Sequence, residues 1–175
     1  MGIKTLFSHP IFSVLQRTSM FGGKKVTRTY IDMAPAVMVI AIDKANQVHL
    51  LREYMGPTDQ LEDTFVKGRI DEGETPQQAA ARELAEELGM TGRLTPLMRV
   101  SNQPSHSTAI TYVFVARDCE LIQKHRPKGD EEAGTVQPNS VSYRVVTKYA
   151  TTIFKCVRCI AAAQALRLQD LGNAT

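Results

Sequence analysis

Residues 68–90, GRIDEGETPQQAAARELAEELGM, constrain this chain more than any other stretch, because one short helix must carry three acids near its end. Thr75 is a good N-cap, Pro76 suits the first helical position, and Gln78, three residues after the cap, completes a capping box. Ala79, Ala80, Ala81, Leu84, Ala85 and Leu88 are strong helix formers, and Gly89 is a natural stop. At about 100° per residue, Glu87 lies roughly 40° from Glu83 and Glu86 about 60° to the other side. The three carboxylates share a face, and Ala80, Leu84 and Leu88 form an apolar stripe away from it.

A solvated acidic face is the default meaning of such a charge run, and two magnitudes count against it. Like charges at i,i+3 and i,i+4 each cost about 0.2–0.5 kcal/mol. Acids at a helix C-terminus also oppose the macrodipole by roughly 0.3–1 kcal/mol per group near the surface. Arg82 offsets part of this by pairing with Glu86. A divalent cation would turn the repulsion into attraction, since hard cations take carboxylate oxygens.

Composition narrows the class only modestly. A chain of 175 residues is expected to form a single domain over 1–175. A net charge of +3 fits an anionic small-molecule substrate and is too mild to argue for nucleic acid. No run of about 18 apolar residues exists to span a membrane. Three cysteines fit a reducing compartment better than a disulfide framework, and a cytoplasmic location is the default. Cys156 and Cys159 form a C-x-x-C inside an expected helix; two small buried helix residues is the leading reading and thiol redox chemistry the alternative.

Along the chain, 11–20 and 25–33 read as a β-hairpin around Gly22-Gly23, spanning 11–33. The basic bias before Asp32 also resembles a transit peptide, which is the minority reading. The apolar run 36–43 reads as a strand buried on both faces, followed by strands over 48–55, 92–103, 109–116 and 141–146. Residues 149–171 read as one amphipathic helix. Strands mixed with two helices imply an α/β class.

Gly68, five residues, Glu74, seven residues, then Arg82-Glu83-Leu84-Ala85-Glu86-Glu87-Leu88-Gly89-Met90 resembles the Nudix box without a departure. The resemblance implies a Nudix hydrolase, with an α/β/α sandwich, a mixed sheet, an N-terminal hairpin and a C-terminal helix. It implies Mg²⁺ or Mn²⁺ as cofactor and cleavage of a nucleoside diphosphate linked to another group. Glu83 and Glu87 are then the principal metal ligands, Glu86 an additional one, and the backbone near Lys67 and Gly68 completes the site. Arg82 and Glu74 become orienting residues, while Gly68, Gly73 and Gly89 serve backbone geometry.

Outside the box, the acidic cluster Asp130-Glu131-Glu132 is the natural place for a general base, Glu131 foremost, against the alternative of a solvated charge run. His106 and His125 are weaker candidates. Leu51-Arg52-Glu53-Tyr54, Phe65-Val66-Lys67-Gly68 and Pro104-Ser105 resemble the ADP compounds hydrolase and ADP-ribose pyrophosphatase branch. That makes Arg52, Tyr54, Pro104 and Ser105 the substrate-binding candidates, Arg52 because its fork suits phosphate. An Arg52 ion pair with Glu53 or Glu62 is the alternative. The implied substrates are ADP-ribose, NADH or diadenosine polyphosphates, releasing AMP. A nucleoside triphosphate and a non-catalytic nucleotide-binding regulator are the other readings. With no Trp, Tyr30, Tyr54, Phe12 and Phe65 are the aromatics left to stack on adenine. The N-terminal strands are the segment that would make a homodimer.

Overall fold

The computed structural model describes residues 2–122 and 137–172, with no side-chain description at 137 and 138. Asp130, Glu131, Glu132 and His125 therefore lie outside the described residues.

The expected hairpin forms as β2 (Phe12–Phe21) and β3 (Lys24–Met33), joined at Gly22 (φ 56°) and Gly23 (φ 75°). Two successive positive φ values twist a tight turn to match its strands, which is why glycines occupy both positions. An unexpected strand, β1 (Gly2–Ser8), pairs with β2, so the N-terminus is a three-stranded antiparallel sheet rather than a hairpin.

Among the described residues the main sheet has seven strands. Its path runs β10 (Gln137–Ser142), β5 (Gln47–Met55), β4 (Ala36–Asp43), β9 (Ile110–Leu121) and β8 (Met90–Ser101). β4 and β9 are parallel and their neighbours antiparallel, giving the mixed sheet. β4 is buried on both faces, as its unbroken apolar run requires. Val37, Val39 and Ala41 face one core with helix α1 (Pro76–Leu88); Met38, Ile40 and Ile42 face the other, under the C-terminal helices. The result is an α/β/α sandwich.

β4 and β5 diverge after a short shared ladder at Ala41–His49 and Ile42–Val48. Two further short strands fill the opening: β6 (Gln60–Thr64) pairs with β5, and β7 (Val66–Arg69) pairs with β4. Between them Phe65 is fully buried.

Two expectations are corrected at the C-terminal end. The strand over 141–146 stops at Ser142, and Tyr143–Lys148 is helix α2. Val145-Val146-Thr147 has strand-like composition, but tertiary contacts outweigh it. The Tyr143 N–H caps Asn46 O at 2.9 Å, its hydroxyl bonds Asp170, and Val146 is fully buried. The helix over 149–171 is broken into α3 (Ala150–Ile153) and α4 (Val157–Gly172). Phe154 is extended (φ −103°, ψ 137°) and turns its ring onto Phe65, with centroids 4.7 Å apart. Burying two aromatic rings together outweighs the helical hydrogen bonds lost over 154–156. Among the described residues no helix is long and apolar enough to cross a membrane.

Candidate active site

Helix α1 is built from local signals. Thr75 Oγ1 accepts from the Gln78 N–H at 3.3 Å while Gln78 Oε1 accepts from the Thr75 N–H at 2.9 Å, closing the capping box. Gly89 ends the helix at φ 62°, its N–H donating to Ala85 O at 3.0 Å. Ala79, Ala80, Leu84 and Leu88 are buried against the sheet, which fixes the rotation of the helix and the direction of its acids.

Arg82 organises those acids. Its guanidinium donates from Nε to Glu74 Oε1 and from Nη2 to Glu74 Oε2, both at 3.0 Å, a two-pronged match. Nη1 donates to Glu83 Oε1 at 2.7 Å and Glu86 Oε2 at 3.3 Å, and Nη2 also reaches the Arg69 carbonyl at 2.9 Å. Glu74 in turn accepts from the Asp71 N–H at 3.1 Å. One side chain thus holds the loop before the helix and two of the three helix acids.

Glu83 is 8% exposed, and its carboxylate occupies the space a side chain at Gly68 would fill. A Cβ built on Gly68 would lie 1.8 Å from Glu83 Oε1, so any larger residue on β7 there would have to push the Glu83 carboxylate aside. Burial raises the Glu83 carboxyl's affinity for its proton, with Glu86 and Asp71 adding to it and Arg82 opposing. Glu87 is raised too, by burial first and then by Glu53 and Glu83, with Lys67 pulling the other way. The Glu87 carboxylate has no hydrogen-bond partner among the described residues. The Arg82 bond holds Glu74 below the ordinary carboxylate range.

Glu53 and Lys67 were not singled out by sequence as side chains of the site. They form an ion pair across the gap between β5 and β7, and both act electrostatically on Glu87. The alternation in Leu51-Arg52-Glu53-Tyr54 held a signal, since Glu53 shares the sheet face of buried Leu51.

The other candidates are scattered. Arg52 is half exposed, with Nε 3.9 Å from Asp63 rather than paired with Glu53 or Glu62. The Tyr54 hydroxyl donates to Asp59 Oδ1 at 2.7 Å. Pro104 and Ser105 line a cavity of about 290 Å³ with Arg17, Ser19, Arg28 and Tyr30 of the N-terminal sheet. Arg17 and Arg28 are directly paired across β2 and β3, which the sequence alone did not bring together with Pro104. That loop is tied to β3 by Ile31 N–H to His106 O at 2.8 Å and Thr108 N–H to Ile31 O at 3.0 Å. Phe65 is ruled out as an adenine platform because it is fully buried on Phe154. Phe12 packs on Phe7 and His9, at 5.9 and 5.3 Å between ring centroids.

A model of the NUDIX domain matches residues 32–155, more than two thirds of the chain. The chain belongs to the Nudix family. Over 136 residues it is 34% identical to the ADP compounds hydrolase NudE of Escherichia coli (strain K12), spanning 75% of this chain and 70% of that one. It is 25% identical to the ADP-ribose pyrophosphatase of Bacillus subtilis (strain 168), over 74% of each. The crystal structure of an ADP compounds hydrolase superposes with a TM-score of 0.81 at 28% identity, covering 99% of this chain and 94% of that one. Fold and family together make this Nudix chain a pyrophosphohydrolase.

Among the described residues no three His, Cys, Asp or Glu side chains stand gathered as a ready-made metal cage. Arg82 now takes oxygens of Glu83 and Glu86, so a cation would have to compete with it. Glu87 is where charge is least compensated. Because the fold raises its proton affinity, native protein keeps that proton to higher pH than the unfolded chain. Stability is therefore lost as pH rises above the ordinary value of 4.5, and the deficit persists at neutral pH. Metal-free Glu87→Gln should melt above wild type near neutrality, and the gap should close as pH falls toward the ordinary Glu range. Melting curves between about pH 4 and 8 check this; a lower or pH-independent melting temperature would contradict it.

Proposed function

We propose that the face formed by Glu83, Glu86 and Glu87, with the Gly68 backbone beside it, holds a divalent cation, Mg²⁺ or Mn²⁺. We propose further that the enzyme hydrolyses the pyrophosphate of ADP-linked compounds, releasing AMP. The observation that carries this is the buried Glu83 carboxylate seated in the gap at Gly68, beside Glu86 and Glu87 on the same helix face. The donor set is all oxygen, which suits a hard cation. A bound cation would supply positive charge against the pyrophosphate oxygens as the P–O bond breaks.

The chain's own residues divide the remaining work. Arg82 and Glu74 position Glu83 and Glu86 by holding loop and helix in one unit. Lys67 and Glu53 set the charge beside Glu87. In the overall reaction water adds to one phosphorus and the bridging P–O bond breaks, giving AMP and a phosphorylated partner. The names of the bacterial relatives support ADP-ribose and other ADP compounds as the substrate class. Arg52 and Tyr54 on β5, and Pro104 and Ser105 against Arg17 and Arg28, are the proposed contacts to the nucleotide. The two arginines give that cavity the charge a phosphate needs.

A second copy of this chain is the proposed partner. Ile3, Leu6, Phe7, Met20 and Phe21 are exposed on the N-terminal sheet, apolar side chains that association through these strands would help to cover. Light scattering in solution should give the mass of a dimer, and a monomer mass at micromolar concentration would contradict it. All 175 residues are proposed to act as one Nudix domain in the cytoplasm.

The function is tested with a panel of ADP-ribose, NADH and diadenosine polyphosphates, measuring AMP release with and without Mg²⁺. AMP should appear only with the metal, and Glu83→Gln should lower kcat by about 10²–10³-fold while remaining folded. AMP release that persists after metal chelation, or a near-normal rate in Glu83→Gln, would contradict the proposal.

A further inference from the structure

The C-x-x-C at 156–159 is not used by the pyrophosphate chemistry, and its place differs from the sequence expectation of two buried residues inside a helix. The break at Phe154 leaves Cys156 just before α4, where its carbonyl accepts the first helical hydrogen bond from the Ile160 N–H at 3.1 Å. Cys156 is therefore the N-cap of a 16-residue helix and Cys159 lies in its first turn. That places the Cys156 sulfur at the helix N-terminus, where the backbone N–H groups of Arg158 and Cys159 favour its thiolate. Cys159 follows within the same turn, and both residues line one cavity, so the two thiols stand side by side at this helix end.

The two thiols differ in environment. Cys156 is partly exposed and Cys159 is 1% exposed. The Cys159 hydrogen bond, the helix N–H groups and the Arg158 charge hold the Cys156 thiol below the ordinary range. Cys159 is raised by its bond to Cys156 and by burial. Both line a cavity of about 250 Å³ with Met38, Met55, Pro57 and Lys67, through which a small molecule can reach the sulfurs. Lys67 is the same residue that pairs with Glu53 beside Glu87. A metal is a poor alternative, since two thiolates supply half of a tetrahedral site and no third ligand stands near among the described residues.

We propose that Cys156 and Cys159 form a peroxide-reactive dithiol, in which Cys156 attacks a small hydroperoxide and Cys159 closes the product as a disulfide. In the first step an S–O bond forms and the peroxide O–O bond breaks. Cys156 is oxidised to the sulfenic acid, and the other peroxide oxygen leaves as hydroxide and takes up a proton. In the second, Cys159 loses its proton and attacks the Cys156 sulfur. The S–S bond forms, the S–O bond breaks, and the oxygen leaves as water. Two thiols and one hydrogen peroxide give one disulfide and two waters.

The experiment treats the reduced full chain with one equivalent of hydrogen peroxide, alkylates the remaining thiols and digests with trypsin. Trypsin cuts after Lys155, Arg158 and Arg167, so the disulfide joins two peptides, 156–158 and 159–167, that separate on reduction. Cys119 is the internal control. It is buried, its thiol bonds the Ala116 carbonyl at 3.4 Å, and burial pushes it up to about 11. The linked peptide should form at least about tenfold faster than Cys119 is lost. In C159S a dimedone adduct should accumulate at Cys156, and in C156S Cys159 should stay alkylatable. Wild-type Cys156 that oxidises no faster than Cys119, or reacts without forming the linked peptide, overturns the proposal. So does a folded C159S that traps no sulfenic acid.

Discussion

The guanidinium of Arg82 is the tie on which the rest of the site depends. Five hydrogen bonds from one side chain join the loop before α1, through Glu74 and the Arg69 carbonyl, to the acids on the helix, through Glu83 and Glu86. A Lys could carry the charge but not the planar fork that reaches all four groups. With the tie made, the missing side chain at Gly68 leaves room for the Glu83 carboxylate, and helix and strand close on each other at their acidic edge.

The sheet supplies the second constraint. β4 and β5 separate after two ladder pairs, and the short strands β6 and β7 fill the opening. That divergence brings Glu53 and Lys67 to the acids of α1, and Lys67 also lines the cavity at Cys156 and Cys159. Repulsion around Glu87 is a cost in stability that packing alone would not select. Natural proteins commonly retain such costs where function needs them.

The box helix was legible because everything that defines it is local: a capping box, a proline at the first turn, a run of alanines and leucines, and a terminal glycine. β4 was legible for the same reason, its apolar run having one burial pattern. What the sequence concealed depends on distant partners. The turn of Phe154 onto Phe65 breaks a helix whose own periodicity is continuous, and Val145-Val146 is helical because of what α2 packs on. Glu53 and Lys67 become neighbours only when the sheet splits, and Arg17 and Arg28 meet Pro104 only when the N-terminal sheet docks on that loop. The acids at Glu83, Glu86 and Glu87 could be placed on one face from helical spacing. Which of them is buried in the Gly68 gap required the strand opposite.

The central claim is that this gap exists to hold a carboxylate for a divalent cation. The most direct measurement is a Mn²⁺ titration of wild type and Gly68→Ala, followed by the paramagnetic signal of the ion, with circular dichroism as the control for folding. Wild type should bind Mn²⁺, and folded Gly68→Ala should lose most of that binding, because the new methyl displaces the Glu83 carboxylate. Equal Mn²⁺ affinity in the two proteins would contradict the account.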